Sequence, residues 1–237
     1  MERTKRAVIT GATKGIGRAI TEAMVESGYD VAICARTQAD LDTFAGTLRA
    51  LRKGCQVLTL NTDVRDKQEL KQFADRISAE WDTVDVLVNN AGLFVPGEIL
   101  KEPDLTLEMM MEVNVYSAYY LTRHLLPLLQ GGSHGHIFNM CSIASLKAYP
   151  GGGSYTIAKF ALRGMSMVLR EELKQQNIKV TTVIPGATWT DSWKGAGFPE
   201  ERLMPAADIA EAVMSALRMS PGSVVEEILI RPQLGDL

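Results

Sequence analysis

Seven short apolar runs, rich in β-branched residues, alternate along the chain with longer amphipathic stretches. The runs at 6–10, 30–35, 55–60, 84–88, 135–140, 178–184 and 226–230 are nearly continuous in hydrophobicity, as expected for strands covered on both faces. Between them, apolar residues recur at helical spacing over about 16–27, 38–52, 66–80, 104–129, 154–176 and 206–219. A strand followed each time by a helix requires a crossover, and successive crossovers build a parallel sheet with helices on both faces. The pattern predicts an α/β chain with a doubly wound seven-stranded parallel sheet. No Pro/Ser linker or charge block interrupts it, so a single domain over 1–237 is expected. The Gly-rich patches at 131–135 and 151–153 fall in loops, and there is no short-period repeat.

Composition narrows the class without changing the picture. The 237 residues are enough for a large core, and 46% hydrophobic with 22% charged residues argues against a disordered tail, a collagen-like rod or a disulfide knot. A net charge of −3 gives no field to draw nucleic acid or anionic lipid onto the surface. Cys34, Cys55 and Cys141 are an odd number at unrelated spacings, which reads as free thiols in a reducing compartment. The start, Met1 to Arg6, runs directly into Ala7-Val8-Ile9, too short an apolar run for a signal peptide, and no stretch approaches the ~18 apolar residues of a spanning helix. A soluble, cytoplasmic protein is expected, with neither a membrane nor a nucleic acid as partner.

The first strand leads into Thr10-Gly11-Ala12-Thr13-Lys14-Gly15-Ile16-Gly17 and then a helix. Glycines at a strand-to-helix turn permit tight geometry and close ligand approach, and the helix N-terminus offers free N–H groups and partial positive charge to a pyrophosphate. The spacing is G-x-x-x-G-x-G rather than the commoner G-x-G-x-x-G. In this it resembles the short-chain dehydrogenase/reductase family, whose loop reads T-G-x-x-x-G-I-G, and the resemblance runs from Thr10 to at least Thr190. It implies a Rossmann fold and a nicotinamide cofactor.

The end of the second strand decides which cofactor. An NAD site typically carries a carboxylate there for the ribose hydroxyls; this chain has Ala35-Arg36-Thr37, and Asp30 lies at the wrong end of the strand. Arg36 suits a 2′-phosphate, and Lys14 adds a second cation. NADP(H) is therefore expected, with Thr37 adding a hydroxyl. The resemblance further implies that Asp63 and Val64 meet the adenine and that the Asn89-Asn90-Ala91-Gly92 signature packs beside the cofactor. It also implies that Pro185-Gly186-Ala187-Thr188-Trp189-Thr190 reaches the nicotinamide carboxamide, with Thr188 in place of the family's usual aliphatic residue.

Tyr155 and Lys159 are four apart on a predicted helix and share a face; Ser142 precedes them and Asn114 lies in the long helix before that. In order and spacing they resemble the family's Asn-Ser-Tyr-Lys tetrad. Reducing a carbonyl requires hydride on carbon and a proton on oxygen. A free tyrosine, pKa ~10, is a sluggish acid–base group at neutral pH. An ammonium ~4 Å away at effective dielectric ~20 contributes at most ~4 kcal/mol, enough to lower that pKa by up to ~3 units before desolvation opposes it. Ser142 would polarise the substrate oxygen. The resemblance implies that Lys159 also holds the nicotinamide ribose and that Asn114 anchors a water linking Lys159 to solvent.

Residues 187–204, with Trp189, Trp193, Phe198 and Met204, read as a lid. Phe94, Ile143, Tyr149 and Trp193, with Ser142 and Tyr155, are candidates to line an apolar substrate pocket. No arginine cluster awaits a substrate carboxylate, although Arg202 and Lys194 are near enough in sequence to matter. His134 and His136 lack acidic or cysteine companions and read as surface residues, so no metal is expected. Met109-Met110-Met111 reads as packing or subunit contact, and Cys141 as a buried structural thiol. The expected activity is NADPH-dependent reduction of a ketone or aldehyde to an alcohol. Three alternatives stay open: a non-catalytic NADP sensor, a scaffold of the same fold, and an NAD-linked alcohol dehydrogenase. The resemblance includes 3-oxoacyl-carrier-protein reductases and pterin or sugar carbonyl reductases, and it implies a homodimer or homotetramer formed through 104–129 and 154–176.

Overall fold

The computed structural model describes residues 3–190, 193 and 197–236. Strands β1 (Arg6–Thr10), β2 (Asp30–Ala35), β3 (Val57–Asn61), β4 (Val86–Asn89), β5 (Gly135–Met140), β6 (Ile178–Pro185) and β7 (Glu227–Ile230) form one sheet in the order 3-2-1-4-5-6-7. Every neighbouring pair is parallel. Helices α1 (Gly15–Glu26), α2 (Gln38–Leu51), α3 (Lys67–Glu80), α4 (Thr106–Met111), α5 (Ser117–Gln130), α6 (Gly153–Leu173) and α7 (Ala206–Leu217) supply the crossovers. The strand order reverses between β1 and β4, which opens a crevice at their carboxyl ends, the place where doubly wound sheets bind ligands.

The continuous apolar runs follow from two-sided burial. Ala7 and Ile9 of β1, Val31 and Ile33 of β2, and Val86 and Val88 of β4 face Ile20, Met24, Leu41, Phe44, Ile209 and Val213 of α1, α2 and α7. Alternate residues Val8, Ala32 and Leu87 face Leu70, Phe73, Leu121 and Leu125 of α3 and α5, joined by Leu173 at the end of α6. A buried polar ladder ties the second layer together: Asn89 donates to Thr122 (3.1 Å) and Asn139 (2.8 Å), and Asn139 donates to Ser166 (2.8 Å). Helices α5 and α6 are thereby held in register with β4 and β5.

The long helix expected over 104–129 is broken. A five-residue π-helical turn, Glu112–Tyr116, separates α4 from α5. The Asn114 amide donates to both Met110 O and Leu93 O (3.0 Å each), drawing the turn toward the loop after β4. Such bulges are frequent at functional sites. Strand β3 starts two residues later than expected, because Cys55 closes a turn on Arg52 O and the Gln56 N–H is taken by the Asp30 carboxylate. All three cysteines are buried and free; burial pushes Cys34 up to about 12 and Cys141 up to about 11, so both stay protonated thiols. Among the described residues no helix is long and apolar enough to cross a membrane.

His134 is exposed as expected, but His136 is not a surface residue. Its ring is buried, stacked on Phe138 with centroids 4.0 Å apart, and Nε2 lies 2.7 Å from the Thr181 hydroxyl. That hydroxyl donates to Val225 O, so the imidazole is the donor in its own bond and stands neutral. Burial pushes His136 down to about 3. The folded protein then binds fewer protons here than the unfolded chain, whose histidines titrate near ~6.5. Stability from this site is complete above ~6.5 and is lost as pH falls from there toward about 3. The full 3.5-unit span sets a ceiling on the order of 5 kcal/mol. Urea unfolding of His136→Gln against the parent across this window is expected to show a shallower pH dependence in the variant; parallel curves would refute the assignment.

Candidate active site

The chain leaves β1 through a loop that only glycines permit at two positions, Gly11 (φ 63°) and Gly15 (φ 53°). Gly11 N–H and Ala12 N–H donate to Cys34 O at 3.1 and 3.4 Å. The Asn90 amide donates to Thr10 O (2.9 Å) and Gly11 O (3.1 Å), while the Thr10 hydroxyl accepts from the N–H groups of Asn90 and Ala91. A Cβ on Gly17 would fall 2.3 Å from Asn90 Nδ2 and 2.4 Å from Gly11 O, and one on Gly15 would meet Thr190 Cγ2 at 3.0 Å. The loop after β1, the loop after β4 and Thr190 beyond β6 thus converge. The N-terminus of α1 has no side-chain cap and no acidic residue in its first turn, leaving its N–H groups and positive dipole end to an anion.

Arg36 follows β2 directly and is exposed; among the described residues it pairs with no carboxylate. Lys14 lies 3.6 Å from Asp40, a largely exposed pair that water screens. Thr37 precedes α2 with its hydroxyl free of a capping bond. The Asp63 carboxylate is held below the usual carboxylate range chiefly by its hydrogen bonds to Arg65, with Arg36 adding to the effect, and Val64 beside it is half-buried. Asp30 sits at the opposite end of β2, committed to Arg52 (2.7 Å) and the Gln56 N–H (2.9 Å).

On the other side of the crevice, α6 carries Tyr155 and Lys159 on one face, with the Lys159 ammonium 5.5 Å from the Tyr155 ring centroid. The ammonium is buried and donates to Met140 O at 2.8 Å. The position a Cβ on Gly92 would occupy is 3.2 Å from Asn114 Oδ1 and 3.6 Å from Lys159 Nζ, so both groups flank the same glycine. Ser142 opens a short turn after β5, its oxygen accepting from Ala144 N–H (3.2 Å). Phe94 meets Tyr155 edge-on, with centroids 4.9 Å apart. Asn114, Ser142, Tyr155 and Lys159 are therefore brought together at the end of the crevice opposite Arg36.

The electrostatics of this cluster differ from the expected lowering of the tyrosine pKa. Burial pushes Tyr155 up to about 12, with the neighbouring Ser142 hydroxyl opposing weakly. Burial also pushes Lys159 down to about 8. Desolvation is the leading cause for both groups, and the ammonium, which lies over the Tyr155 ring, gives its hydrogen bond to a carbonyl. At neutral pH Tyr155 is a protonated phenol, suited to giving a proton to a developing alkoxide.

A family model described as short chain dehydrogenase matches residues 5–199. The chain belongs to the short-chain dehydrogenase family. It is 32% identical to the sepiapterin reductase of Chlorobaculum tepidum over 238 residues, covering 97% of each chain. An alcohol dehydrogenase of the archaeon Thermococcus sibiricus, solved with 5-hydroxy-NADP, superposes at a TM-score of 0.90 with 29% identity and 99% of each chain covered. The L-sorbose reductase of Gluconobacter frateurii, solved with NADPH and L-sorbose, superposes at 0.89 with 25% identity, covering 97% of this chain and 95% of that one.

In this short-chain dehydrogenase, Pro185 ends β6 and the Gly186 N–H donates to Ile230 O (2.8 Å). The Thr188 hydroxyl turns inward to Gly186 O (3.0 Å), while Trp189 N–H donates to Met204 O (2.7 Å), so the two ends of 187–204 are zipped together. Trp193 packs edge-on against Phe198 at 5.8 Å. Residues 191–192 and 194–196, Lys194 among them, lie outside the described residues. Ile143 packs in the same apolar cluster as Tyr155. Tyr149 is exposed, and it lies close enough to Tyr155 for that phenol to bear on its ionisation. Arg202 does not await a substrate carboxylate: its guanidinium donates to the carbonyls of Leu234, Gly235 and Asp236. Two groups carry no signal in the sequence: Met140, which contributes a backbone carbonyl, and Glu102, one of three acids in the stretch 98–104.

The closure of the glycine loop makes Gly17→Ala disruptive. Its methyl would meet backbone as well as the Asn90 amide, a clash expected to cost about 2 kcal/mol or more. Gly46→Ala, a helical position with nothing within 4 Å, is the control and should be neutral or slightly stabilising. Thermal unfolding of both variants checks this; equal melting temperatures would mean the loop is not packed as described.

Proposed function

We propose that this chain is an NADPH-dependent reductase that converts a ketone or aldehyde to an alcohol, reversibly in principle. The observation that carries the reading is the placement of a protonated, half-buried phenol, a serine hydroxyl and a buried ammonium at one end of a crevice whose other end has an uncapped helix N-terminus and an exposed arginine that, among the described residues, pairs with no carboxylate. The residues present fit a phosphorylated dinucleotide: the glycine cradle has no room for a side chain at Gly17, and Arg36 with Lys14 supplies charge where a 2′-phosphate would lie. Relatives named as an alcohol dehydrogenase, a sepiapterin reductase and a sorbose reductase support carbonyl–alcohol chemistry, and the two solved structures among them, the alcohol dehydrogenase and the sorbose reductase, hold NADP-type cofactors.

When bound, NADPH supplies the hydride. Gly11, Thr13, Lys14, Gly15, Ile16 and Gly17 would hold its pyrophosphate on backbone N–H groups, Arg36 and Thr37 its ribose phosphate, and Asp63 and Val64 its adenine side. Asn90, Ala91 and Gly92 would support the sugar, with Pro185, Gly186, Thr188 and Thr190 beside the amide. Ser142 orients the substrate carbonyl, and Tyr155 passes its phenolic proton to the carbonyl oxygen as negative charge develops there. The Lys159 ammonium stabilises the phenolate left behind, and Asn114 links it to solvent. With Arg202 committed elsewhere, Phe94, Ile143, Tyr149 and Trp193 favour a neutral carbonyl compound. Buried, unpaired thiols suit a cytoplasmic setting, and exposed Tyr116 of the π-helical turn, Tyr119 of α5 and Ile157, Phe160, Met167 and Val168 of α6 support a homodimer or homotetramer through those helices.

A screen of NADPH oxidation across diketones, 3-oxoacyl thioesters, quinones, pterins and keto-sugars tests the reading, and no oxidation with any class would refute it. Tyr155→Phe is expected to lower turnover by roughly 10²–10⁴-fold while leaving NADPH affinity within a fewfold; undiminished turnover would remove Tyr155 from the chemistry. Arg36→Asp should weaken NADPH far more than NADH in fluorescence titrations, and equal weakening would overturn the cofactor preference.

A further inference from the structure

Helix α6, 21 residues long, begins at Gly153 with glycine at its N-cap, no side-chain cap from its own sequence and no acidic residue in its first turn. The helix that carries Tyr155 and Lys159 therefore cannot close its own N-terminus. The cap comes from 52 residues away. Glu102, in the loop between β4 and α4, accepts the Ser154 N–H at 3.0 Å on one carboxylate oxygen and the Ser154 hydroxyl on the other. We propose that Glu102 is a positioning residue for the reaction: its carboxylate caps α6 from the facing loop and thereby fixes Tyr155 against Phe94 and Ser142.

The surroundings are shaped around that carboxylate. A Cβ on Gly153 would fall 2.0 Å from the Glu102 oxygen, and one on Gly97 would fall 2.5 Å from Glu102 Cγ. Gly97 N–H donates to Gly151 O (3.0 Å), and Gly97 and Gly152 form an isolated parallel bridge, so loop and helix start are joined by backbone as well. Glu102 is itself held by a turn on Glu98 O (2.9 Å). The same loop presents Phe94 edge-on to Tyr155, the residue that follows the capped serine. A carboxylate on free N–H groups at a helix N-terminus gains from both the charge-assisted bond and the dipole. The kinetic part of this inference rests on the reductase reading; the geometric part does not.

The test uses the full chain and two readouts that need no substrate: titration of the Tyr155 phenol, taken as the ultraviolet difference between each protein and its own Tyr155→Phe counterpart, and amide exchange over the first turn of α6. In Glu102→Ala, water reaches the phenol, so its midpoint should fall from about 12 toward the ordinary ~10. Exchange over 153–157 should rise on the order of tenfold, the scale of a lost cap. Glu102→Gln keeps an acceptor for the Ser154 N–H and should restore most of both signals. Ser154→Ala, a milder change for use if Glu102→Ala does not fold, should shift both in the same direction by less. With a substrate in hand, kcat should fall roughly tenfold in Glu102→Ala while NADPH affinity holds. An unmoved Tyr155 midpoint and unmoved exchange would overturn the proposal, as would a global loss of stability with the Tyr155 midpoint unchanged. Absence of turnover in the parent would refute the reductase reading and leave these two readouts intact.

Discussion

The Asn90 side-chain amide holds the crevice together. Its two hydrogens go to the carbonyls of Thr10 and Gly11, and the Thr10 hydroxyl answers with bonds to the backbone that follows β4. This small knot joins the ends of the two strands at which the sheet reverses direction. Because it fills the space where a side chain at Gly17 would stand, α1 starts flush against the loop and directs its free N–H groups outward into the crevice. The end of the crevice at the helix N-terminus depends on this contact, since a loop held further out would neither expose those groups nor bring Thr190 over Gly15.

The end of the crevice that holds Tyr155 and Lys159 is governed by desolvation. Lys159 is buried with one carbonyl partner and loses part of its basicity, while Tyr155 becomes harder to ionise. Taken alone, the attraction between ammonium and phenolate would make the tyrosine a better base. Burial keeps the phenol neutral instead, which suits proton donation. The helix bearing both groups is held at three places: the Asn139–Ser166 bond at its middle, packing of Ala158 and Leu162 against Met110 and Ile184 beneath the site, and the Glu102 carboxylate at its start.

Much of this was legible along the chain. The alternation of apolar and amphipathic runs is a direct image of two-sided burial, and strand bounds read from it fall within two residues of those observed. The motifs around Thr10–Gly17, Asn89–Gly92 and Tyr155–Lys159 sit where the strand ends place them. The misreadings share one cause. His136 looks like an exposed histidine until Phe138 and Thr181 close over it. For Arg202 the expectation that no arginine cluster awaits a carboxylate holds, but its actual partners, three carbonyls of the segment 234–236, come from a part of the chain that its own neighbours do not reveal. The helix through 104–129 looks continuous until Leu93, across the crevice, competes for the Asn114 amide.

Local periodicity and glycine spacing determined the fold class and marked the loop after the first strand, because each is set by neighbours a few residues away, while the order of Asn114, Ser142, Tyr155 and Lys159 carried the family resemblance. Only the tertiary structure decided which polar groups are buried, which cations are already paired, how burial moves the Tyr155 and Lys159 protons, and that a glutamate from a distant loop caps the helix that carries them. Those properties depend on contacts between segments tens of residues apart, and the energy of burying a charge is fixed by whatever surrounds it in space.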